Sequence, residues 1–438
     1  MNLIKDTRIK MNEITILIPN ARSPNFEGTE TVQIKNIINE INKKNKTKII
    51  WVIFQPSKTQ VKENEREQII NFSDYGNAVE ILNKFNPDLV ITETEFFSQS
   101  IAFVLAAKFK KIPVVTYCFV AYVNTNLIIN IKSRLRLLFS KKVFGETTEL
   151  EKKSSDASMI QFNIRKLRFI SKTLKEIKYN KIHICFSIIS FILKQFFSTS
   201  LVPVEKQIEG KLNLCSNTKW KEYLEKNNFE KSTIVVTGDP YLDQLFIKFK
   251  NSKPVQNIET NKIKILFCTS PMHEHGYVSK SEEDEIILKT IDNILKNTNF
   301  ELAIKIHPST SSKEEYEKLI NDRKILIYQK EKLTEKLEQF DVMITYGASS
   351  AILNAIMLKK PVVFLDVFSY TKNLNLFYDK LISIKCTNLD EISQKIMFSI
   401  NNEIKEENYN EYIKQHLEKF DGNSAIRASN AIMDVLKD

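Results

Sequence analysis

The chain has 438 residues, room for two or three domains of ordinary size. Apolar residues make up 42%, enough to bury substantial cores, which excludes a globally disordered chain. The net charge of +11 is concentrated in residues 130–200, where 15 Lys or Arg face 5 Asp or Glu, so the remainder is close to neutral.

The N-terminal MNLIKDTRIKMNEITILIPN lacks the uninterrupted apolar core of a signal peptide, and Ile14–Ile18 reads as a first strand. Thr29–Asn42 has helical apolar spacing at Val32, Ile34, Ile37, Ile38 and Ile41. Strand Ile49–Phe54, helix Asn77–Phe85, strand Leu89–Thr92, helix Gln99–Phe109 and strand Val114–Val120 follow. Such alternation predicts a parallel sheet covered by helices on both faces, with ligands at the carboxyl ends of the strands.

Residues 129–200 break the alternation. Arg134 and Arg136 interleave with Leu135, Leu137, Leu138 and Phe139, and Arg165, Lys166 and Arg168 flank Leu167, Phe169 and Ile170. Ile182–Phe197 is rich in Phe, Ile and Leu, yet no uncharged apolar run reaches the roughly eighteen residues of a membrane span. Basic and apolar residues so mixed suit a segment lying on an anionic membrane surface. The alternative is an internal helical hairpin whose apolar face packs on the first domain.

The alternation then resumes. Strands are read at Leu212–Cys215, Thr233–Thr237, Ile263–Thr269, Glu301–Ile306, Lys324–Tyr328, Val342–Thr345 and Pro361–Leu365. Helices are read at Lys219–Lys226, Glu285–Lys296, Leu333–Phe340 and Ser350–Leu358, with a helical tail from Leu389. Five cysteines (Cys118, Cys185, Cys215, Cys268, Cys386) form no CxxC pair, which argues against a paired-cysteine zinc site, and their odd number fits a reducing compartment.

Three stretches carry chemistry. In DVMITYGASSAILNAIMLKKPVVFLD, from Asp341 to Asp366, a strand ends at Thr345, a turn carries Gly347, and Ser349 and Ser350 open a helix. Helix N-termini expose unpaired N–H groups, so this is a candidate phosphate cradle; the alternative is a capping serine. Lys305-Ile306-His307-Pro308 ends a strand and leaves His307 at the carboxyl edge, placed to bond a phosphate oxygen or protonate a leaving group. Ser270-Pro271-Met272-His273-Glu274-His275 follows the first strand of the second half and reads as a ligand loop. No third ligand beyond Glu274 accompanies His273 and His275, so no metal site is expected. On the first half, Glu27 or Glu30 beside Gly28 could deprotonate a hydroxyl, as could Glu93 or Glu95; the alternative for all four is helix N-terminal stabilisation.

The His-Pro strand end, the Ser-Ser helix start about thirty-five residues later and the Lys-Pro-Val-Val-Phe that follows resemble the donor domain of bacterial capsule glycosyltransferases of the sialyl- and Kdo-transferase kind. They are also similar to CDP-glycerol glycerophosphotransferases and, more distantly, to UDP-N-acetylglucosamine 2-epimerases. The likeness covers roughly residues 210–370, where Thr237-Gly238-Asp239-Pro240 with Asp243 resembles the passage between halves. Phe26-Glu27-Gly28 matches the last two positions of the acidic-acidic-Gly acceptor motif of the sialyltransferases. The turn Tyr346-Gly347-Ala348 and the stretch after Asp366 depart from the epimerase and polyol-phosphate polymerase patterns.

The resemblance implies an α/β fold of GT-B type: two doubly wound, Rossmann-like parallel-sheet domains facing across a cleft, with a basic-apolar helical insert. The divisions expected are an acceptor-side domain over 1–128, the insert over 129–205, an inter-domain segment over 206–245, a nucleotide-sugar domain over 246–388 and C-terminal helices over 389–438. It implies a glycosyltransferase moving a sugar from a nucleotide donor to a glycan or lipid-linked acceptor; the transfer is expected to be inverting and, since no DxD-type metal signal stands out, free of metal or other cofactor. Ser270, His273, His275, Lys305, His307, Pro308, Gly347, Ser349 and Ser350 would bind the donor, and Glu27, Glu30 and His307 would carry the catalysis. An epimerase of the same fold, a polyol-phosphate transferase and a nucleic-acid binder using 130–200 are the alternatives. No nucleic-acid motif accompanies the charge, so nucleic acid is not an expected partner. The expected location is cytoplasmic, at the inner face of the membrane.

Overall fold

The computed structural model describes residues 13–20, 24, 29–54, 66–94, 98–119, 159–178, 208–252, 262–273, 277–307, 313–321, 323–347, 350–368 and 379–437. These residues form two sheets, each parallel throughout.

The first sheet contains β1 (Ile14–Asn20), β2 (Thr47–Ile53), β3 (Glu67–Asn71), β4 (Leu89–Glu93), β5 (Val114–Cys118), β6 (Leu212–Cys215) and β7 (Ile234–Val236), ordered β3-β2-β1-β4-β5-β6-β7. Its helices are α1 (Thr29–Asn42), α2 (Ala78–Phe85), α3 (Ser98–Phe109), α4 (Met159–Glu176) and α5 (Thr218–Lys226). Strands covered on both faces must be apolar on both, and β4 is buried at all five positions. Successive β1 side chains point to opposite faces: Ile16 and Ile18 meet Ile34, Ile37 and Ile41 of α1, while Leu17 joins the core beneath α2, α3 and α4. Asn77 caps α2 through the Glu80 N–H, and Asn86 ends it in the left-handed conformation, just before Pro87.

The second sheet contains β8 (Ile263–Cys268), β9 (Phe300–Lys305), β10 (Leu326–Tyr328), β11 (Val342–Tyr346), β12 (Val362–Leu365) and β13 (Ile384–Cys386), ordered β10-β9-β8-β11-β12-β13. Around it lie α6 (Leu242–Asn251), α7 (Lys280–Leu295), α8 (Lys313–Ile320), α9 (Leu333–Leu337), α10 (Ala351–Met357), α11 (Ile392–Asn401) and α12 (Glu406–His416). One face buries Phe267 and Ile265 against Ile287 and Ile291 of α7 and Ile396 of α11. The other buries Leu266 and Cys268 against Ile352 and Ile356 of α10 and Tyr412 of α12. In both sheets the order reverses beside the first strand, between β1 and β4 and between β8 and β11. Crevices for ligands form at such reversals.

The chain crosses from one sheet to the other at 237–241. A last helix, α13 (Ser424–Lys437), returns to pack on α1, and Ala428 and Ile432 complete the first-domain core. Asp243 of α6 accepts from the Ser424 and Ala425 N–H groups at 3.0 and 2.8 Å, capping α13 across the junction. Arg427 of α13 donates from Nε to the Thr237 carbonyl at 2.7 Å.

Several details differ from the sequence reading. Residues 206–245 supply β6 and β7 to the first sheet before the crossing, because Leu214 and Ile234 belong to its core. The short strands β3 and β13 are additional to those read from the sequence. Within the basic insert, α4 lies on the first domain: Phe162, Phe169, Ile170 and Leu174 are buried in its core, while Arg168, Lys172, Lys175 and Glu176 are exposed. The apolar face of α4 is therefore taken up internally, and the rest of 129–205 lies outside the described residues, apart from the turn that ends α4. Among the described residues no helix is long and apolar enough to cross a membrane.

Candidate active site

Of the residues nominated from sequence, Glu27, His275, Pro308 and Ser349 lie outside the described residues, as does Glu95. Glu30, Ser270, His273, Lys305, His307, Gly347 and Ser350 are described. All but Glu30 fall at the carboxyl edge of the second sheet.

The loop after β8 and the turn after β11 flank the switch point and are locked together. Ser270 is buried, and its hydroxyl donates to the Tyr346 carbonyl at 2.6 Å. The Tyr346 hydroxyl donates to Glu283 Oε1 at 2.9 Å, and the other oxygen of that carboxylate accepts the His273 backbone N–H at 2.9 Å. Gly347 adopts φ +69°, a conformation that calls for glycine, and a Cβ there would lie 2.7 Å from Met272 Sδ, so that side chain would have to shift. His273 Nδ1 lies 3.4 Å from the Val278 carbonyl. Ser350 stands exposed at the start of α10, and its hydroxyl makes no capping bond to that helix.

One strand outward, His307 is half-exposed just beyond β9. Beside it Lys305 is buried, and its ammonium donates to the Gln329 and Ile306 carbonyls at 2.6 and 3.2 Å. Burial lowers its pKa from the usual lysine value. Lys305 thus ties β9 to the end of β10, and His307 is the side chain of the pair that reaches solvent.

The switch point of the first sheet gathers carboxylates around a phenol. Glu93, the last residue of β4, is buried and hydrogen-bonded to Tyr117 of β5. Burial first, then the charges of Glu93 and Glu30, raise the Tyr117 pKa well above its ordinary value, so the phenol stays protonated. Glu30, in the first turn of α1, is the more accessible of the two carboxylates. At the crossing, Asp239 accepts from Gln33 Nε2 at 2.7 Å and from the Tyr241 N–H at 2.9 Å. Burial pushes its pKa up to about 7 against the pull of these two bonds.

Sequence reasoning missed Glu283, Tyr346 and Tyr117. The one signal for Tyr117 and Tyr346 was a tyrosine near the end of an apolar strand, since a buried phenol seeks a partner. Among the described residues no three His, Cys, Asp or Glu side chains are grouped to hold a metal ion. Two hollows, one beside Thr218, Lys221 and Glu418 and one beside Lys108, Gly210 and Lys211, lie away from both switch points.

A profile of the family described as alpha-2,8-polysialyltransferase (POLYST) matches residues 1–338. No curated protein sequence matches the chain. Among solved structures, the UDP-GlcNAc 2-epimerase of Methanocaldococcus jannaschii is 13% identical, with 96% of this chain and 99% of that one covered and a TM-score of 0.51. An S. aureus MnaA structure with UDP is 12% identical, covering 98% and 97%, with a TM-score of 0.51. The Neisseria meningitidis epimerase bound to UDP-GlcNAc is 13% identical, covering 96% and 100%, with a TM-score of 0.50. At these identities the structural likeness concerns the fold, two parallel-sheet domains of GT-B type.

Proposed function

Since the chain belongs to the alpha-2,8-polysialyltransferase family and is a glycosyltransferase using a nucleotide-sugar donor, we propose that the donor is an activated sialic acid held at the β8/β11 switch point. The observation carrying this reading is the locked pair of loops there, with His307 and Ser350 presented at one sheet edge. His307 and Ser350, with Ser349, His275 and Pro308 as further candidates from the sequence, contact the phosphate of the donor. Ser270, Lys305, His273 and Gly347 hold the backbone that carries them.

In the inverting transfer so proposed, a hydroxyl oxygen of the acceptor bonds to the glycosyl carbon as the bond from that carbon to the donor phosphate breaks. The electron pair leaves on the phosphate oxygen, where His307 offsets the growing charge. The hydroxyl proton passes to a carboxylate of the first sheet, for which Glu30 is the accessible candidate and Glu27 the alternative. No metal or other cofactor enters the scheme. His307→Ala and the double change Ser349→Ala with Ser350→Ala should each leave the fold intact and weaken nucleotide binding. Each lost charge-assisted bond costs about 1.5–3 kcal/mol, roughly ten- to a hundredfold in affinity. Calorimetric titration with CMP and with UDP reads this directly, and unchanged affinity in both variants would reject the donor site.

The acceptor is proposed to be a sialylated glycan, lipid-linked and presented at the cytoplasmic face of the membrane. Support comes from the solvent-facing Arg168, Lys172 and Lys175 on one helix and the surplus charge of 130–200. Each basic side chain near an anionic leaflet contributes about 1 kcal/mol, and salt screens it. Flotation with anionic vesicles is expected at low salt and should fall sharply at high salt. A protein that never floats with anionic vesicles refutes this part alone.

A further inference from the structure

We propose that Glu283 is a positioning residue for the donor site, acting through Tyr346 and the backbone of the β8 loop; this rests on the donor being bound at the β8/β11 switch point. Glu283 lies in the first turn of α7, where an acidic run (Ser281-Glu282-Glu283-Asp284-Glu285) would ordinarily face water. Its neighbour Glu282 keeps the ordinary N-terminal place, with its N–H bonded to the capping Ser279 hydroxyl. Glu283 instead turns inward and is 4% exposed. A carboxylate so buried is costly unless its oxygens are bonded.

Its two oxygens take partners from the two segments that flank the switch point: the His273 N–H from the β8 loop and the Tyr346 hydroxyl from the end of β11. Tyr346 closes the circuit, because its own carbonyl accepts from Ser270. Gly347 follows directly, with Met272 against it. The carboxylate therefore fixes the spacing between the loop carrying Ser270 and His273 and the turn leading to Ser350. Its role is to set where the contacting groups stand rather than to touch the ligand. Placement errors near 1 Å cost up to about a hundredfold in function, so a modest slackening here should be measurable.

The test compares Glu283→Gln, Tyr346→Phe and their combination in the full chain, with His307→Ala as reference. Glu283→Gln places an amide where one donor now finds a carboxylate oxygen. Tyr346→Phe removes only the hydroxyl and keeps the ring in the core, so it carries the test if the first variant fails to fold. CMP and UDP are titrated calorimetrically well below each melting temperature, and donor KM and kcat are measured separately. Each single variant is expected to weaken nucleotide binding about tenfold, raise KM more than it lowers kcat, and combine less than additively, because both act on one contact. Folded variants with lower melting temperatures but wild-type affinity and KM overturn the proposal, leaving Glu283 as a stabilising group only. If those variants bind normally while His307→Ala binds weakly, the donor site stands and the positioning role alone fails. If His307→Ala also binds normally, the donor-site reading fails and takes this inference with it.

Discussion

Phe169→Ala should remove about 3–5 kcal/mol of stability, enough to unfold the first domain of a marginally stable protein. The ring sits 5.6 Å edge-on from Phe72, 5.9 Å edge-on from Phe54 and 5.9 Å from Phe103, centroid to centroid. It thus joins α4 to the end of β2, to α3 and to the turn after β3 in one aromatic cluster. Truncation leaves a void that the flanking strands cannot close, since each ring in the cluster is fixed by others. Lys172→Ala, on the solvent-facing side of the same helix, should stay within about 0.5 kcal/mol of wild type. Chemical denaturation distinguishes the two. If Phe169→Ala were as stable as wild type, α4 would not be a wall of the domain, and its apolar face would be free for lipid.

Asp239→Asn should stabilise the protein above neutral pH by about 2–4 kcal/mol and flatten its pH dependence. The folded state holds the Asp239 proton to about pH 7, against an ordinary value of 3.8, because burial penalises the charge. The folded state then binds more protons than the unfolded one between those values, so stability falls as pH rises through the window and levels off above it. Ionising a group held protonated that far above its ordinary range costs the fold at most about 4 kcal/mol. Asparagine keeps an oxygen for the Gln33 and Tyr241 donors and carries no charge at any pH. Melting temperatures of wild type and variant should therefore converge near pH 4 and separate above pH 7. Parallel profiles across the range would show that Asp239 is ionised in the fold like an ordinary carboxylate.

Most strands were legible because a parallel sheet covered on both faces demands near-continuous apolar runs, and ITILI, IIWVIF, LVIT, ILFC and PVVFL supply them. β3 escaped because Glu67 and Gln68 open it and two isoleucines are too short a run to distinguish from a loop. The edge position of β3 explains that composition. For α4, helical periodicity was visible but its destination was not: Phe162, Phe169 and Leu174 would look the same facing lipid or protein. The candidate site was legible where backbone chemistry leaves a trace, as at Gly347 and at His307 before Pro308. Glu283 left none. An acidic residue in a first helical turn is ordinary, and its partner Tyr346 is 63 positions away.

The return of α13 to the first sheet has a consequence for biosynthesis. On the ribosome, β1 to β7 emerge well before the helix that covers their α1 face. Until Ala428, Ile432 and Val435 arrive, the greasy side shared with Ile14, Ile16 and Ile34 stays partly uncovered, while the second sheet is being translated and folds in between. The early half must therefore wait, in a state that exposes apolar surface and invites chaperone binding or self-association. Slowing translation anywhere between the end of β7 and α13 should lengthen that exposed interval.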